Sequence, residues 1–293
     1  MTTCEGNMWK YICHVIFYKM ESNFFKEIER EYSELLKTGK IEFIEEVKRK
    51  TSRHFFYKSP IYFIGDIKSK LVLVTFSSSK LLRVGNVNQP DFRTYQFKYQ
   101  NYGKYYYDYI SNEIPTQTLN SILREYNYLK PFQTIKFDKN SLKDNMQKLI
   151  DEKLHLDLIP YSTPDFSSDD FINNYTLCKP LIDSLLQKIS AFPRHHVIFT
   201  DQCFLKILKE YIVQTDRFIF KLNRYENGVT NQQVVFTRII LKYQNRIMVA
   251  GIADSLYDES IDRSLLSLYG EASASILNRG VILSRINWIR LLN

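Results

Sequence analysis

Short apolar strand patterns separated by amphipathic helical patterns constrain the fold of this chain more than any other feature. Residues 71–76 read Leu-Val-Leu-Val-Thr-Phe, a run typical of a strand that is buried on both faces. Further strand patterns lie at 154–159, 197–200 and 234–252, with helical patterns between the first ones. This alternation predicts an α/β fold, a three-layer α/β/α sandwich with a mainly parallel central sheet of about four strands.

The predicted core strands are expected to end at one shared edge of the sheet, because right-handed crossovers place parallel strands side by side. Their predicted ends are Phe76, Ile159, Thr200 and Ala250. The loops that follow these ends are 77–80, 160–162, 201–202 and 251–255. Open α/β sheets bind ligands at this edge, which we call the carboxyl edge and take as the candidate site.

Two segments outside the strand pattern bear on the domain organisation. Residues 22–50 carry apolar side chains at helical spacing, so residues 1–59 are predicted to form an N-terminal helical extension packed on the core. Residues 60–293 are predicted to form a single α/β domain. Residues 85–115 are polar and rich in tyrosine, which is typical of an active-site loop or of a lid over a groove.

Charge and cysteine content limit the classes of binding partner and the cellular compartment that we expect. A formal net charge of +8 and an isoelectric point of about 9.1 favour polyanionic partners without specifying one. The cysteines and histidines show no metal-ligand spacing, so neither a metal site nor a cofactor is expected, and reduced thiols fit a cytoplasmic protein. No apolar run approaches the roughly 20 residues of a membrane helix, so no membrane partner is expected.

The segment that follows the second predicted strand carries a possible ligand contact. Tyr161 and Ser162 come directly after Pro160, at the expected carboxyl edge. A tyrosine ring there can stack on a flat ligand, and a hydroxyl can hydrogen-bond its edge. A plain loop explains the same residues, with Pro160 ending the strand and Ser167 or Asp169 capping the next helix. The sequence leaves both interpretations open.

Taken in order, three stretches resemble the uracil-DNA glycosylase superfamily, particularly its divergent bacterial members. Gly65-Asp66 followed by 70–74 resembles the entry into that family's first motif. Residues 158–162, Leu-Ile-Pro-Tyr-Ser, are similar to a Phe-Pro-Tyr-His-Ser stretch of the divergent members. The helical pattern 171–189, the strand pattern 197–200 and the helix after it follow the family's helix–strand–helix order. The resemblance covers about residues 60–255, and no motif is intact.

The chain departs from the family at three positions. Residues 77–79 are serines where the family places its water-activating Asp or Asn, and a serine does not act as a carboxylate base at neutral pH without a partner that takes its proton. Residues 251–255 contain no histidine where the family carries a His-Pro-Ser loop. Ser162 stands where the divergent members carry a histidine. These departures put ordinary uracil excision in doubt.

The resemblance implies a base that is flipped out of the DNA stack and held between aromatic and apolar walls. It assigns base binding to Phe76, Ser78, Ser79, Tyr161 and Ser162. The carboxylate that stabilises positive charge on the sugar would come from Asp254 or Asp66, and Ser77 is the third catalytic candidate. The alternatives are that Asp66 is a turn residue and that Asp254 caps a helix.

Two pairs of basic residues are candidates for contacts to the DNA backbone. Lys80 and Arg83 follow the first loop, where they fit phosphate contacts. Lys98 and Lys104 lie among tyrosines that could stack on unpaired bases while the cations follow the phosphates. The alternatives are a solvated surface for the cations and an aromatic-rich loop packed over the sheet edge for the tyrosines.

The leading interpretation is therefore a DNA glycosylase that acts on an unusual or modified base, in single-stranded DNA or in a damaged or modified duplex. A catalytically inactive nucleic-acid-binding module of the same fold is the second interpretation, favoured by the altered first loop. The third is an unrelated α/β protein that binds a small ligand or another protein at the carboxyl edge, with an incidental positive charge.

Overall fold

The computed structural model describes residues 4–57, 60–77, 89–104, 116–138, 141–222, 232–254, 256–278 and 287–290. Within these ranges the chain has a mixed α/β fold built on one sheet of eight strands. The strands are β1 (Ile64–Gly65), β2 (Leu71–Ser77), β3 (Leu154–Ile159), β4 (His196–Phe199), β5 (Ile212–Leu222), β6 (Gln232–Tyr243), β7 (Arg246–Ala253) and β8 (Asn287–Arg290).

The sheet is parallel in its centre and antiparallel at both sides. Its order is β1-β3-β2-β4-β7-β6-β5-β8, and the neighbours β3, β2, β4 and β7 run parallel. The outer pairs are antiparallel, and β6 turns into β7 through a hairpin at Tyr243 and Arg246, as the sequence predicted. The expected sheet of about four strands is therefore too small, because the antiparallel strands β5, β6 and β8 extend it on one side and β1 on the other.

The described helices lie between and around these strands. They are α1 (Cys4–Thr38), α2 (Glu42–Thr51), α3 (Phe92–Gln100), α4 (Thr116–Leu129), α5 (Leu142–Glu152), α6 (Ser168–Asn173), α7 (Tyr175–Ser190), α8 (Cys203–Ile207) and α9 (Leu266–Leu277). Local sequence explains several of their starts. Ser141 caps α5, and Ser167 forms a capping box with Asp170 at the start of α6.

Two clusters of buried apolar side chains lie on opposite faces of the central strands. Alternate residues of β2 separate the faces: Val72 and Val74 belong to the first cluster, and Leu71 and Leu73 to the second. The first cluster takes in side chains of α1, α2, α3 and α7, whereas the second takes in α4 and α9. We call the side of the second cluster the α4 face.

Residues 19–57 contribute directly to the first cluster. Phe24, Ile28 and Tyr32 of α1 and Ile44 of α2 are buried in it together with the central strands. Gly39 adopts φ 72° between the two helices, a left-handed conformation that glycine accepts without strain. The proposed domain boundary between residues 59 and 60 stays a prediction.

The tyrosine-rich segment 85–115 was predicted to be a loop or lid, but its described part is a helix. Asp91 caps α3 by accepting a hydrogen bond from the Thr94 amide at 2.7 Å. Tyr95 and Tyr99 are one helical turn apart and buried, so the tyrosine spacing reflects core packing. Among the residues that the structure describes, no helix is both long enough and apolar enough to cross a membrane.

Candidate functional site

The carboxyl edge exists as a structural feature of the parallel strands. The register pairs Ser77 with Ile159 at the ends of β2 and β3, and Phe199 with Ile252 near the ends of β4 and β7. The segments that follow β3, β4 and β7 therefore leave the sheet on one side. Ser78, Ser79, Lys80 and Arg83, which follow β2, lie outside the described residues.

Asp254 lies directly beyond β7 at this edge. Its Oδ2 accepts a hydrogen bond from the Gln202 side-chain amide, which follows β4, at 2.7 Å. Burial raises the pKa of the Asp254 carboxyl above its usual value, the Gln202 hydrogen bonds oppose that rise, and the charge of Asp201 adds to it. The structure thus places a half-buried carboxylate at the carboxyl edge.

Asp66 does not share this location, which corrects its assignment as a catalytic candidate. It precedes β2, where its Oδ1 accepts from the Lys68 amide at 2.8 Å and its carbonyl accepts from the Ser69 amide at 3.0 Å. The exposed Asp66 side chain is a turn residue at the opposite edge of the sheet. The neighbouring Gly65 adopts φ 88° beside β3.

Tyr161 is buried in the first core cluster, which removes its ring from contact with a base in this structure. Its exposed fraction is 1%. The hydroxyl donates to Glu31 Oε2 of α1 at 2.9 Å and lies 3.2 Å from the Tyr62 hydroxyl. Burial raises the pKa of Glu31 above its usual value, against the lowering effects of the Lys188 ammonium and the Tyr161 hydroxyl. Tyr161 therefore links α1 to the segment that follows β3 through its hydrogen bond to Glu31.

The other base-binding candidates have packing or backbone roles in the described structure. Ser162 pairs its backbone with Phe56 in an isolated antiparallel bridge, through amide-to-carbonyl distances of 2.9 and 3.3 Å. The partly buried ring of Phe76 contacts Phe171 edge-on, with centroids 5.9 Å apart. Ser77 is partly exposed at the end of β2, which leaves its hydroxyl at the carboxyl edge.

Lys98 and Lys104 lie away from the carboxyl edge. The Lys98 ammonium is 5.8 Å from the ring centroid of Tyr99, and burial lowers its pKa. Lys104 follows Gly103, whose amide donates to Asp151 Oδ1 at 2.6 Å just before β3 begins. Lys104 is thus at the opposite end of β3 from the carboxyl edge, and its role as a contact to the DNA backbone stays a prediction.

The sequence analysis missed a buried polar cluster beside the carboxyl edge, formed by Thr75 of β2 with His155 and Asp157 of β3. Thr75 Oγ1 donates to Asp157 Oδ1 and lies 3.1 Å from His155 Nε2. His155 Nε2 is 3.3 Å from the same Oδ1. The Asp157 side chain is fully buried, and its Oδ2 has no hydrogen-bond partner among the described residues.

This cluster is not a catalytic triad, because Thr75 and Asp157 contact the same nitrogen of His155. In a triad, the acid orients the histidine through its other nitrogen. Thr75 Oγ1 and His155 Nε2 instead both contact Oδ1 of Asp157. The arrangement therefore holds one carboxylate oxygen in place and leaves the other free to accept a hydrogen bond.

A second buried group of charges lies next to the cluster on the α4 face. Glu125 of α4 forms an ion pair with Lys153, which precedes β3, and accepts from the Tyr257 hydroxyl at 2.7 Å. Burial acts to raise the pKa of Glu125, but the Lys153 ammonium and the His155 ring outweigh it and hold the pKa below its usual value. Tyr257 also lines a cleft of about 770 Å³ between α4 and residues 256–264.

A sequence signal for the cluster existed in the alternation along β3. Residues 153–158 read Lys-Leu-His-Leu-Asp-Leu, so polar and leucine side chains occupy opposite faces. An exposed face would explain such alternation, yet every residue of β3 is buried. A strand can bury histidine and aspartate together only if they find partners.

Among the described residues, no group of three or more His, Cys, Asp or Glu side chains could hold a metal ion. The comparisons with known proteins return no match: no family model matches the chain, and no curated protein matches it.

Proposed function

We propose that this chain is a cytoplasmic DNA-binding protein of glycosylase-like fold that hydrolyses the N-glycosidic bond of an unusual or modified base at the carboxyl edge. The observation that carries the proposal is Asp254, a half-buried carboxylate directly after a central parallel strand, held by Gln202 at 2.7 Å. The two core clusters on opposite faces of the sheet support the three-layer α/β/α arrangement that the proposal includes.

In the proposed reaction, a water oxygen forms a bond to C1′ of the sugar while the bond between C1′ and the base nitrogen breaks. The electron pair of that bond leaves with the base, which takes up a proton as the water loses one. Positive charge develops on the sugar in between. The Asp254 carboxylate stabilises that charge in a partly desolvated position, where an anion acts more strongly than in water.

The charge distribution supports DNA as the substrate. The chain has a formal net charge of +8, which attracts a polyanion at long range. Lys80 and Arg83 follow β2 in the sequence, and β2 ends at the carboxyl edge. We retain them as the proposed phosphate contacts.

The test is an assay for free base and abasic sites with DNAs that carry uracil, deaminated purines, alkylated bases or hypermodified pyrimidines. We expect Asp254→Asn to lower the single-turnover rate about 100-fold or more, as removal of one electrostatic stabiliser does in other enzymes. The matched control is Asp66→Asn, an exposed aspartate at the opposite edge, which should keep the wild-type rate. Equal rates for wild type and Asp254→Asn would contradict the assignment.

The rate should also depend on pH in a defined direction. Only the ionised Asp254 stabilises the sugar cation, and burial raises its pKa. Base release should therefore fall as the pH falls, with a midpoint above the value of about 3.9 for an ordinary aspartate. A flat profile down to that value would show that Asp254 does not act in the rate-limiting step.

A catalytically inactive DNA-binding module is the second candidate, and two observations favour it. Ser77 ends β2 where the family that the sequence resembles carries a carboxylate or amide, and Tyr161 is buried away from the edge. This candidate predicts DNA affinity that falls steeply with salt and no release of base from any DNA of the panel. The absence of both release and DNA binding would favour an unrelated α/β protein.

A further inference from the structure

Asp157 Oδ2 is one of the buried side-chain atoms that have no hydrogen-bond partner among the described residues, and the proposed reaction does not use it. A buried carboxylate oxygen without a partner is costly, so it needs a hydrogen-bond donor from a ligand or an internal water. Thr75 and His155 both contact the other oxygen, Oδ1, so neither supplies a hydrogen-bond donor to Oδ2. Thr75, which donates to Oδ1, is partly exposed near the carboxyl edge, whereas the Asp157 side chain itself is fully buried.

The charged and titratable groups around Asp157 come from three elements. His155 precedes it on β3, and Lys153 lies before that strand. Glu125 of α4 pairs with Lys153, and Tyr257, which follows β7, interacts electrostatically with both Glu125 and Asp157. Lys153 is already paired with Glu125, and the Tyr257 hydroxyl already donates to Glu125. Oδ2 of Asp157 is therefore an acceptor beside groups that make their hydrogen bonds to other partners.

We propose that Asp157 Oδ2 recognises a nucleobase by accepting a hydrogen bond from a ring N–H or an amino group on the edge of the base. A carboxylate only accepts, so it selects bases that present a donor there and rejects those in which the donor is missing. The identity of the ligand as a base rests on the proposed function. That Oδ2 requires a hydrogen-bond donor follows from the contacts and burial of the Thr75, His155 and Asp157 cluster alone.

The placement of Asp157 relative to Asp254 fits this division of roles. β3 and β7 are three strand spacings apart in the sheet, which corresponds to about 14 Å. Two carboxylates at that separation do not both act on one sugar carbon. The separation is instead of the order that one bound nucleoside spans. Its sugar would contact Asp254, and the far edge of its base would form a hydrogen bond with Asp157.

The test compares nucleosides in pairs in which a methyl group replaces the ring N–H: uridine with 3-methyluridine, and inosine with 1-methylinosine. Binding to the full chain is measured by calorimetry. For at least one pair we expect wild type to bind the donor-bearing member about tenfold to a hundredfold more tightly, the range of one hydrogen bond to a charged group. Asp157→Asn replaces the free acceptor by an amide that can donate, so it should abolish or reverse this preference.

The controls separate the possible failures. Asp66→Asn should keep the wild-type preference. The wild-type comparison needs no variant, so it can overturn the proposal even if Asp157→Asn does not fold. Equal or absent binding of both members of every pair would overturn the proposal and leave an internal water as the partner of Oδ2. An unchanged preference in folded Asp157→Asn would overturn it as well.

The proposed function is judged by the separate base-release assay. Base release without donor-dependent binding would overturn only the role of Asp157. Donor-dependent binding without base release would support the role of Asp157 while overturning catalysis.

Discussion

Replacement of Lys153 by methionine tests the buried charges on the α4 face directly. The Lys153 and Glu125 side chains are only 4% and 6% exposed, and they form an ion pair with each other. Methionine keeps an unbranched apolar chain of similar length but removes the cation. The variant therefore leaves the Glu125 carboxylate buried, while the Tyr257 hydroxyl still donates to it at 2.7 Å.

We expect Lys153→Met to lower the free energy of unfolding by about 3 to 5 kcal/mol, the cost of leaving one charge of a buried pair uncompensated. The retained Tyr257 hydrogen bond favours the lower end of that range. For a chain of this size, each kcal/mol corresponds to roughly 2 to 4 °C in melting temperature. The melting temperature should therefore drop by about 6 to 20 °C.

The pH dependence has a definite sign. In the wild type, the pKa of Glu125 is held below its usual value, so the pair stabilises the fold above the unfolded pKa and loses this effect as pH falls through the lower, folded pKa. Without Lys153, burial is opposed only by the weaker neighbours, and the pKa of Glu125 rises. Protonation then relieves the buried charge, so the difference between variant and wild type should shrink as pH falls from 7 to 5.

The assay is urea unfolding followed by circular dichroism at both pH values, with Lys153→Met/Glu125→Gln as the matched control. Removing both charges avoids an uncompensated ion, so the double variant should recover most of the loss. A cost below about 1 kcal/mol for Lys153→Met, or a double variant as unstable as the single one, would refute the argument that the pair is buried and mutually dependent.

Three further substitutions test the packing and helix capping of the fold. Tyr161→Ala should lower the free energy of unfolding by about 3 to 5 kcal/mol through loss of a buried aromatic ring, and the folded fraction should bind DNA with unchanged affinity. Weaker DNA binding at an unchanged melting temperature would instead support a role for Tyr161 in ligand binding. Asp170→Ala should cost about 1 kcal/mol at neutral pH by removing the α6 capping box. The Ser167 hydrogen bonds lower the Asp170 pKa to about 2, so this cost should vanish between about pH 4 and pH 2 in acid unfolding curves. Gly65→Ala should prevent soluble expression, since a Cβ at this φ of 88° would lie 2.0 Å from the Lys153 carbonyl oxygen; a wild-type melting temperature would contradict this.

The central strands could be predicted because their apolar runs are long and buried on both faces. The pattern at 71–76 matches β2, and that at 154–159 matches β3. β5 was missed because it alternates apolar residues with exposed polar ones, and Asp216 on it pairs with Arg238 of β6. Such a strand is specified by its antiparallel neighbour, which a local pattern does not reveal.

The site was harder to predict than the fold, because the roles of its residues depend on burial. Tyr161 follows β3 as expected, yet the N-terminal helix covers it and uses its hydroxyl through Glu31. Asp66 and Asp254 look equivalent in the sequence, but one precedes a strand and the other follows one. The direction of the strands decides which aspartate lies at the carboxyl edge. The sequence implies that direction only once the parallel pairing is known.

Packing alone does not explain why polar residues occupy the α4 face of β3, and two of the predicted substitutions together test the reason. Lys153, His155 and Asp157 occupy positions where leucines of similar volume would pack without the cost of burying charge. Lys153 is balanced by Glu125, but Asp157 keeps one oxygen without a partner. If the double variant of Lys153 and Glu125 is as stable as the wild type while Asp157→Asn loses discrimination between nucleosides, the two groups have different roles. The ion pair is then dispensable for folding, and the free oxygen of Asp157 is retained for a ligand rather than for stability.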